Sequence, residues 1–378
     1  MNYLLLVPGL VSIGGMQKRD RLLIRAMDSI LHSHGGQLVV LSLNDPVTTP
    51  TRADLAGLRV TKILRFGGDR QQSIWTALRF FRQANLVLYG LLGFAPLVIF
   101  QRLFSPRSKR FLLMHGAEVW ERRRGPYKWA VHQMNGVVSI SHYTLDRYRQ
   151  AYQVPLSQTA FILPNSLDLV RTRQVSYLGT ESFDGQAGSN PNALRLLTVA
   201  RLVPKELGKG VDTVIRALPE LLNGFPDLRY IVIGDGSDRT RLEHLAREMR
   251  VDHAVEFRGF VSETELEQEY SNCAVYVMPS ASEGFGLVFI EAMAHGKPVV
   301  AARVGGTPEV VQDRVTGLLI DFGDVTALTQ SVKRLLEDAD LRDRMGQASL
   351  QRVRENYTYD IFCQRVAQIL SEISRIQI

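Results

Sequence analysis

The stretch from Ser280 to Glu291, SASEGFGLVFIE, holds the residues of this chain best suited to chemistry. Gly284 and Gly286 flank the opening of an apolar helical run, and without side chains there a ligand can approach the backbone closely. The unpaired N–H groups that begin such a helix suit a phosphate. Glu283, just before the helix, could accept hydrogen bonds from sugar hydroxyls. Glu291, inside it, could hold a diol, because each carboxylate oxygen can accept from a neighbouring hydroxyl. Read singly, Glu283 is also a helix-dipole partner worth at most about 1 kcal/mol, and Glu291 an exposed helix residue. Arg201 and Lys209 form a cationic pair able to neutralise a departing diphosphate, one as a planar fork of donors and the other as a point charge. His115, between an apolar run and Gly116, is a candidate functional residue, although a lone histidine is more often structural.

These residues need a scaffold that brings them to one edge, and the hydropathy pattern supplies it. Short apolar runs at Tyr3–Val7, Gln37–Leu43, Leu86–Tyr89, Phe111–Met114 and Val137–Ile140 read as strands, with helices over Gln17–His34 and Ser73–Arg82. A second series follows at Leu194–Ala200, Leu228–Ile233, Val255–Arg258, Val275–Met278, Pro298–Ala301 and Gly317–Ile320, with clear intervening helices. Strand–helix alternation implies a parallel sheet covered on both faces, here built twice. The expected organisation is a first α/β domain over 1–170, a linker over 171–192, a second over 193–357, and a C-terminal helix over 358–378 returning to the first. In such domains ligands sit beyond the carboxyl ends of the strands. Gly14-Gly15, His115, Arg201, Gly234 and the Glu283 loop all follow strands.

With 378 residues, 45% hydrophobic and 22% charged, the composition excludes a disordered or fibrous chain. The net charge of +7 is uneven. Residues 1–170 hold 21 Lys and Arg against 9 Asp and Glu, and the remainder 24 against 29. A basic half points to a polyanionic partner. The two cysteines, Cys273 and Cys363, exclude a disulfide framework or Cys-rich metal site. The start of the chain lacks the pattern of a secretory signal, so a cytoplasmic location is expected. The apolar segment Ala84–Phe104 is interrupted by Gly90, Gly93 and Pro96, and it reads as a buried strand, a turn and a helix rather than a membrane span.

The run Ser280–Glu291, continued through Ala292-Met-Ala-His-Gly-Lys-Pro-Val-Val to Gly305-Gly-Thr-Pro-Glu309, resembles the signature of retaining glycosyltransferase family 4. Val199-Ala-Arg-Leu, Lys209-Gly-Val-Asp, Gly234-Asp-Gly, Phe257–Val261, Pro164-Asn-Ser and Ser12-Ile-Gly-Gly15 resemble further positions of that family. The resemblance implies the GT-B fold, two Rossmann-like doubly wound domains facing each other across a cleft. It implies transfer of a hexose-type sugar from a UDP- or GDP-sugar to a hydroxyl acceptor, with no metal or other cofactor. In that reading Glu283 touches the donor sugar, Glu291 the ribose, and Arg201 and Lys209 the diphosphate. Phe285, Gly286 and Leu287 support sugar and phosphate, Val261 and Gly234 lie at the nucleotide, Gly15 approaches the donor phosphate, and His115 meets the transferred sugar. Two features depart from the family pattern. Arg201 and Lys209 stand eight apart, wider than in many members, and His115-Gly116-Ala117-Glu118 replaces the common His-Asp pair.

The first domain would then receive the acceptor, a glycan, small glycoside or lipid-linked saccharide. Its cations Arg102, Arg107, Lys109, Arg110, Arg122, Arg123, Arg124 and Lys128 flank the apolar helix near Pro96–Phe104. They form either a solvated basic face or one that rests on an anionic membrane surface, as on the inner face of a plasma membrane, where each basic residue adds about 1 kcal/mol. A nucleic-acid-binding protein lacks support in stacking aromatics, zinc ligands or a helix-turn-helix. A dinucleotide-dependent dehydrogenase is disfavoured because Pro8–Gly15 supplies no G-x-G-x-x-G. A sugar-nucleotide epimerase or a phosphorylase of the same fold remains the alternative.

Overall fold

The computed structural model describes residues 1–12, 14–48, 55–168, 171–172, 194–202 and 208–376. The chain divides into two units, one of Met1–Ser166 with Tyr359–Ile378 and one of Leu167–Thr358. Of the expected linker 171–192, all but Arg171 and Thr172 lies outside the described residues. Those two are buried in a short helical turn of the second unit, so it already begins at Leu167.

The first unit is built on seven strands: β1 Asn2–Val7, β2 Gln37–Ser42, β3 Thr61–Arg65, β4 Leu86–Tyr89, β5 Lys109–Met114, β6 Gly136–Ser139 and β7 Thr159–Ile162. They lie in the order β3-β2-β1-β4-β5-β6-β7, every neighbouring pair parallel. Helices α1 Gly15–Ser33, α2 Arg70–Phe81, α3 Val98–Phe104, α4 Tyr127–His132 and α5 His142–Tyr152 connect them. The central strands are buried on both faces and therefore read as unbroken apolar runs. The edge strands β3 and β7 are only half-buried, which is why apolar patterning does not reveal them. Ala84–Phe104 forms β4, a 3₁₀ turn and α3 as expected, and no described helix is long and apolar enough to cross a membrane.

The second unit has six parallel strands: β8 Arg195–Val199, β9 Arg229–Ile233, β10 Val255–Gly259, β11 Val275–Met278, β12 Val299–Ala302 and β13 Gly317–Ile320. Their order is β10-β9-β8-β11-β12-β13. The helices are α6 Val211–Gly224, α7 Arg239–Glu248, α8 Glu263–Asn272, α9 Leu287–Ala294, α10 Thr307–Val310, α11 Val325–Glu337 and α12 Ala339–Asn356. In α6, Val211, Val214, Ile215, Leu218 and Leu221 form one buried stripe against the sheet. Asp338 accepts from the Leu341 N–H and caps α12.

The last helix, α13 Tyr359–Arg375, belongs to the first unit. Phe362, Val366, Ile369, Leu370 and Ile373 form its buried stripe, and it packs against α1. The Lys109 ammonium donates to the Ile373 and Ser374 carbonyls at 2.5 and 2.6 Å, where the helix dipole favours a cation. Arg110 is buried as well. Two cations assigned above to an exposed basic face are thus structural. Phe362 is 2% exposed, so Phe362→Ala should lower the stability of the first unit by about 3–5 kcal/mol. Urea unfolding followed by probes in each unit should show that transition moving and the second unit's unchanged.

Candidate active site

Each sheet has one place where consecutive connections leave in opposite directions, between β1 and β4 and between β8 and β11. A crevice opens there beyond the carboxyl ends of the strands. In the second unit β8 runs into Arg201 and the loop to Lys209, and β11 runs into Pro279 and the Glu283 loop. Segments far apart in sequence meet there. Lys209 Nζ donates to Glu283 Oε1 at 2.7 Å, with side-chain exposures of 22% and 12%. Arg201 is exposed at the end of the same strand, and residues 203–207 of the intervening loop lie outside the described residues.

Glycine makes this meeting possible. A Cβ on Gly210, whose φ is +77°, would lie 2.4 Å from the Pro279 carbonyl oxygen. On the other side, Gly306 N–H donates to the Glu283 carbonyl at 2.7 Å. A Cβ on Gly305 or Gly306 would come within 2.2 or 2.3 Å of the Glu283 or Gly284 carbonyl oxygen. The loop bearing Glu283 is therefore clasped between two backbone segments that admit no side chain. Phe285 is buried edge-on against Tyr357 at 5.6 Å. Gly286 begins α9 in the left-handed region with no side-chain cap, and the Phe289 N–H donates to its carbonyl at 3.0 Å, so the helix start can offer a ligand only N–H groups before Phe289. Gly234 ends β9 and donates to the Gly259 carbonyl, while Val261 lies half-buried past the end of β10.

Glu291 is not an exposed helix residue; only 6% of it is accessible. One carboxylate oxygen accepts from Arg171 Nη1 and the other from the Tyr270 hydroxyl at 3.1 Å. Arg171 Nε also donates to Glu267 at 2.5 Å, and His295 Nε2 lies 2.9 Å from the second oxygen of Glu267. Burial opposes the Arg171 charge, but Glu291 and Glu267 more than offset it and hold the guanidinium above its ordinary pKa. Glu267 in turn is held below the carboxylate range: burial works against this, and the hydrogen bond from His295 and the charge of Arg171 prevail. Sequence reasoning missed Arg171, because nothing distinguishes a lone arginine at the head of a polar stretch.

In the first unit Gly15 is exposed at the start of α1, past the end of β1. The His115 side chain is 4% exposed at the end of β5. Its Nε2 lies 2.8 Å from the Gly90 carbonyl and its Nδ1 3.1 Å from Arg19 Nη1. Gly90 can only accept and Arg19 only donate, so the ring is the neutral Nε2–H tautomer. Glu118 Oε1 accepts from the His115 backbone N–H at 2.5 Å, so its role is to shape the turn. Asp20, fully buried on α1, places Oδ1 3.7 Å from His115 Nε2, and neither of its oxygens has a hydrogen-bond partner. Asp20 and Arg19 also escaped sequence reading, although the apolar Leu22-Leu23-Ile24 beside them marks a deeply buried helix. Among the described residues no group of three or more His, Cys, Asp or Glu could hold a metal ion.

Residues 180–352 match the family model for glycosyl transferases group 1. The GDP-mannose-dependent alpha-(1-6)-phosphatidylinositol monomannoside mannosyltransferase of Mycolicibacterium smegmatis is 38% identical over 184 residues, 47% of each chain. The protein of the same name from Mycobacterium tuberculosis is 32% identical over 242 residues, 62% of this chain and 61% of its own. This chain thus spans about half to three-fifths of these curated relatives. A glycosyltransferase structure from Rickettsia africae superposes with a TM-score of 0.78 over 99% of this chain and 98% of its own, at 16% identity. The fold is therefore of the GT-B type, with a Rossmann-like doubly wound sheet in each unit.

The Asp20–His115 pair makes a pH-dependent prediction. Burial pushes Asp20 up to about 8, against the charges of Arg19 and Arg21 and with that of Glu118. Burial and then the Arg19 charge push His115 down to about 3, against the Gly90 hydrogen bond. Between their ordinary values of 3.8 and 6.5, folded and unfolded chains each carry one proton on the pair, on Asp20 when folded and on His115 when unfolded. Each group alone has a slope. A raised carboxyl loses its stabilising contribution as pH rises, and a depressed imidazole as pH falls. Asp20→Asn should therefore gain stability relative to the native chain as pH rises from about 4 to about 8. His115→Gln should gain relative to it as pH falls below about 6.5. Chemical denaturation across this range checks both, and parallel curves would show that neither group is shifted.

Proposed function

We propose that the whole chain transfers sugar from a nucleoside-diphosphate sugar to a hydroxyl acceptor, a reading supported by the match of residues 180–352 to the family model for glycosyl transferases group 1. The sugar is of hexose type, the anomeric configuration is retained, and no metal ion takes part. The observation behind this reading is the Lys209–Glu283 pair, held at the β8–β11 crevice beside the uncapped start of α9. An ammonium has three donors, so Lys209 can keep Glu283 and still reach a phosphate oxygen. Glu283, oriented by that contact, accepts from the donor sugar's hydroxyls.

When the bond between the anomeric carbon and the diphosphate oxygen breaks, negative charge grows on the leaving group. Arg201, Lys209 and the first N–H groups of α9 stabilise it without a metal. The acceptor oxygen attacks the anomeric carbon from the same face, and its proton passes to the departing phosphate oxygen. Glu283 and Glu291 act as binding groups, with Glu291 at the ribose and Phe285–Leu287 at sugar and phosphate. Gly234 and Val261 border the nucleotide. In the first unit Gly15 meets the donor phosphate. His115 keeps its neutral ring locked to Gly90 and Arg19, so it serves the sugar through its position and not as a base. The name of the M. smegmatis relative supports a GDP-linked donor and a lipid-linked acceptor.

The acceptor side would rest on an anionic membrane, at the cytoplasmic face. On α3, Ile99, Phe100 and Phe104 are partly exposed and Leu103 is 73% exposed. Arg102, Arg107 and Arg122–Arg124 are exposed in the same unit, and Arg82 lies over the Phe104 ring at 5.0 Å. The unit holds 23 Lys and Arg against 10 Asp and Glu. Vesicle sedimentation at low salt should show binding to anionic but not neutral lipid, and equal binding to both would overturn this placement.

Glu283→Gln and Lys209→Ala should each reduce transfer at least tenfold, about 1.4 kcal/mol of transition-state stabilisation, while a chelator leaves it intact. Near-native rates in both variants, with folding unchanged, would remove the pair from the reaction. A labelled donor incubated without acceptor separates transfer from epimerisation, since only an epimerase would change the donor sugar.

A further inference from the structure

We propose that Arg171 is a positioning residue for Glu291, and so sets how tightly the site reads the ribose of its nucleotide. The inference rests on the reading of Glu291 as the ribose contact. Arg171 lies outside the segment that matches the family model, which begins at residue 180.

A carboxylate on a helix with 6% exposure is strongly unfavourable unless charged or hydrogen-bonded partners compensate. Four side chains close a ring around it. Arg171 and the Tyr270 hydroxyl take one oxygen each, and Arg171 is anchored by Glu267. Glu267 is held by His295, whose Nδ1 lies 2.9 Å from the Glu291 main-chain carbonyl and whose ring stacks on Tyr270 at 5.4 Å. The plane of the carboxylate is therefore set by contacts on both oxygens. Each oxygen has two lone pairs, so this arrangement is compatible with acceptance from a diol.

Arg171 is itself fixed by its segment. Its N–H donates to the Asp168 side chain at 2.9 Å, and the Leu167 N–H donates to the Tyr357 carbonyl at 2.8 Å. Tyr357 is the residue that packs edge-on against Phe285. The segment opening the second unit is thus tied both to the Glu283 loop and to the carboxylate inside α9. Lysine cannot replace this guanidinium, because a single ammonium would have to serve both Glu267 and Glu291 from one point.

The test compares the affinity of the full chain for GDP with that for 2′-deoxy-GDP, and for the uridine pair, by calorimetry. The native chain should prefer the ribonucleotide at least tenfold, and Glu291→Gln should abolish most of that preference. Arg171→Ala should reduce it to threefold or less, and Arg171→Lys to an intermediate value. Arg171→Ala combined with Glu291→Gln should lose no more preference than Glu291→Gln alone. A merely structural role would weaken both nucleotides equally and leave their ratio intact. Should Arg171→Ala fold poorly, Arg171→Lys and Glu267→Gln give the same readout. Full ribose preference in the Arg171 and Glu267 variants, with loss only in Glu291→Gln, would overturn the inference. A native chain that binds ribo- and deoxynucleotide alike would instead remove Glu291 from the ribose, and the inference with it.

Discussion

The constraint on which the rest depends is the reversal of strand order in an all-parallel sheet. Parallel strands require crossover helices, and where the winding changes direction two neighbouring connections depart to opposite sides. In the second unit this happens between β8 and β11. The chain leaving β8 delivers Lys209, and the chain leaving β11 delivers Glu283, so residues 74 positions apart become an ion pair. The first unit repeats the arrangement with β1 and β4, which present Gly15 and the Gly90 carbonyl that holds His115.

Around these crevices the molecule buries charge in two different ways. In the second unit Arg171, Glu267, Glu291, Tyr270 and His295 are joined in one hydrogen-bonded network, which favours the charged forms of Arg171 and Glu267. In the first unit Asp20 has no such donors and sits beside an imidazole already committed to Gly90 and Arg19. There burial favours the uncharged forms of both groups. Satisfied charge suits binding of a polar ligand at fixed geometry.

Much of this was legible in the sequence wherever burial was complete. Val275–Met278, central in its sheet, and Gly317–Ile320, an edge strand that is nevertheless buried along its length, are apolar throughout, and both read correctly to the residue. The edge strands Thr61–Arg65 and Thr159–Ile162 have a half-exposed character that resembles loop. Basic residues were harder. Lys109 and Arg110 look like their neighbours Arg102 and Arg107 in sequence, yet one caps α13 and the other is buried and donates to the Pro106 carbonyl. Side-chain chemistry alone does not say which long cation turns inward.

The sequence by itself determined the doubled α/β alternation, the glycines at the ligand-bearing edge, and the positions of Glu283, Lys209, Arg201 and His115 after strands. Those features are local, because they depend on hydropathy period and on backbone freedom at glycine. Tertiary structure alone decided that Lys209 pairs with Glu283, that Glu291 is buried on Arg171, and that Asp20 faces His115. Each joins elements from different parts of a sheet or from opposite ends of a unit. Such contacts are set by strand order and helix placement, which no short-range pattern encodes.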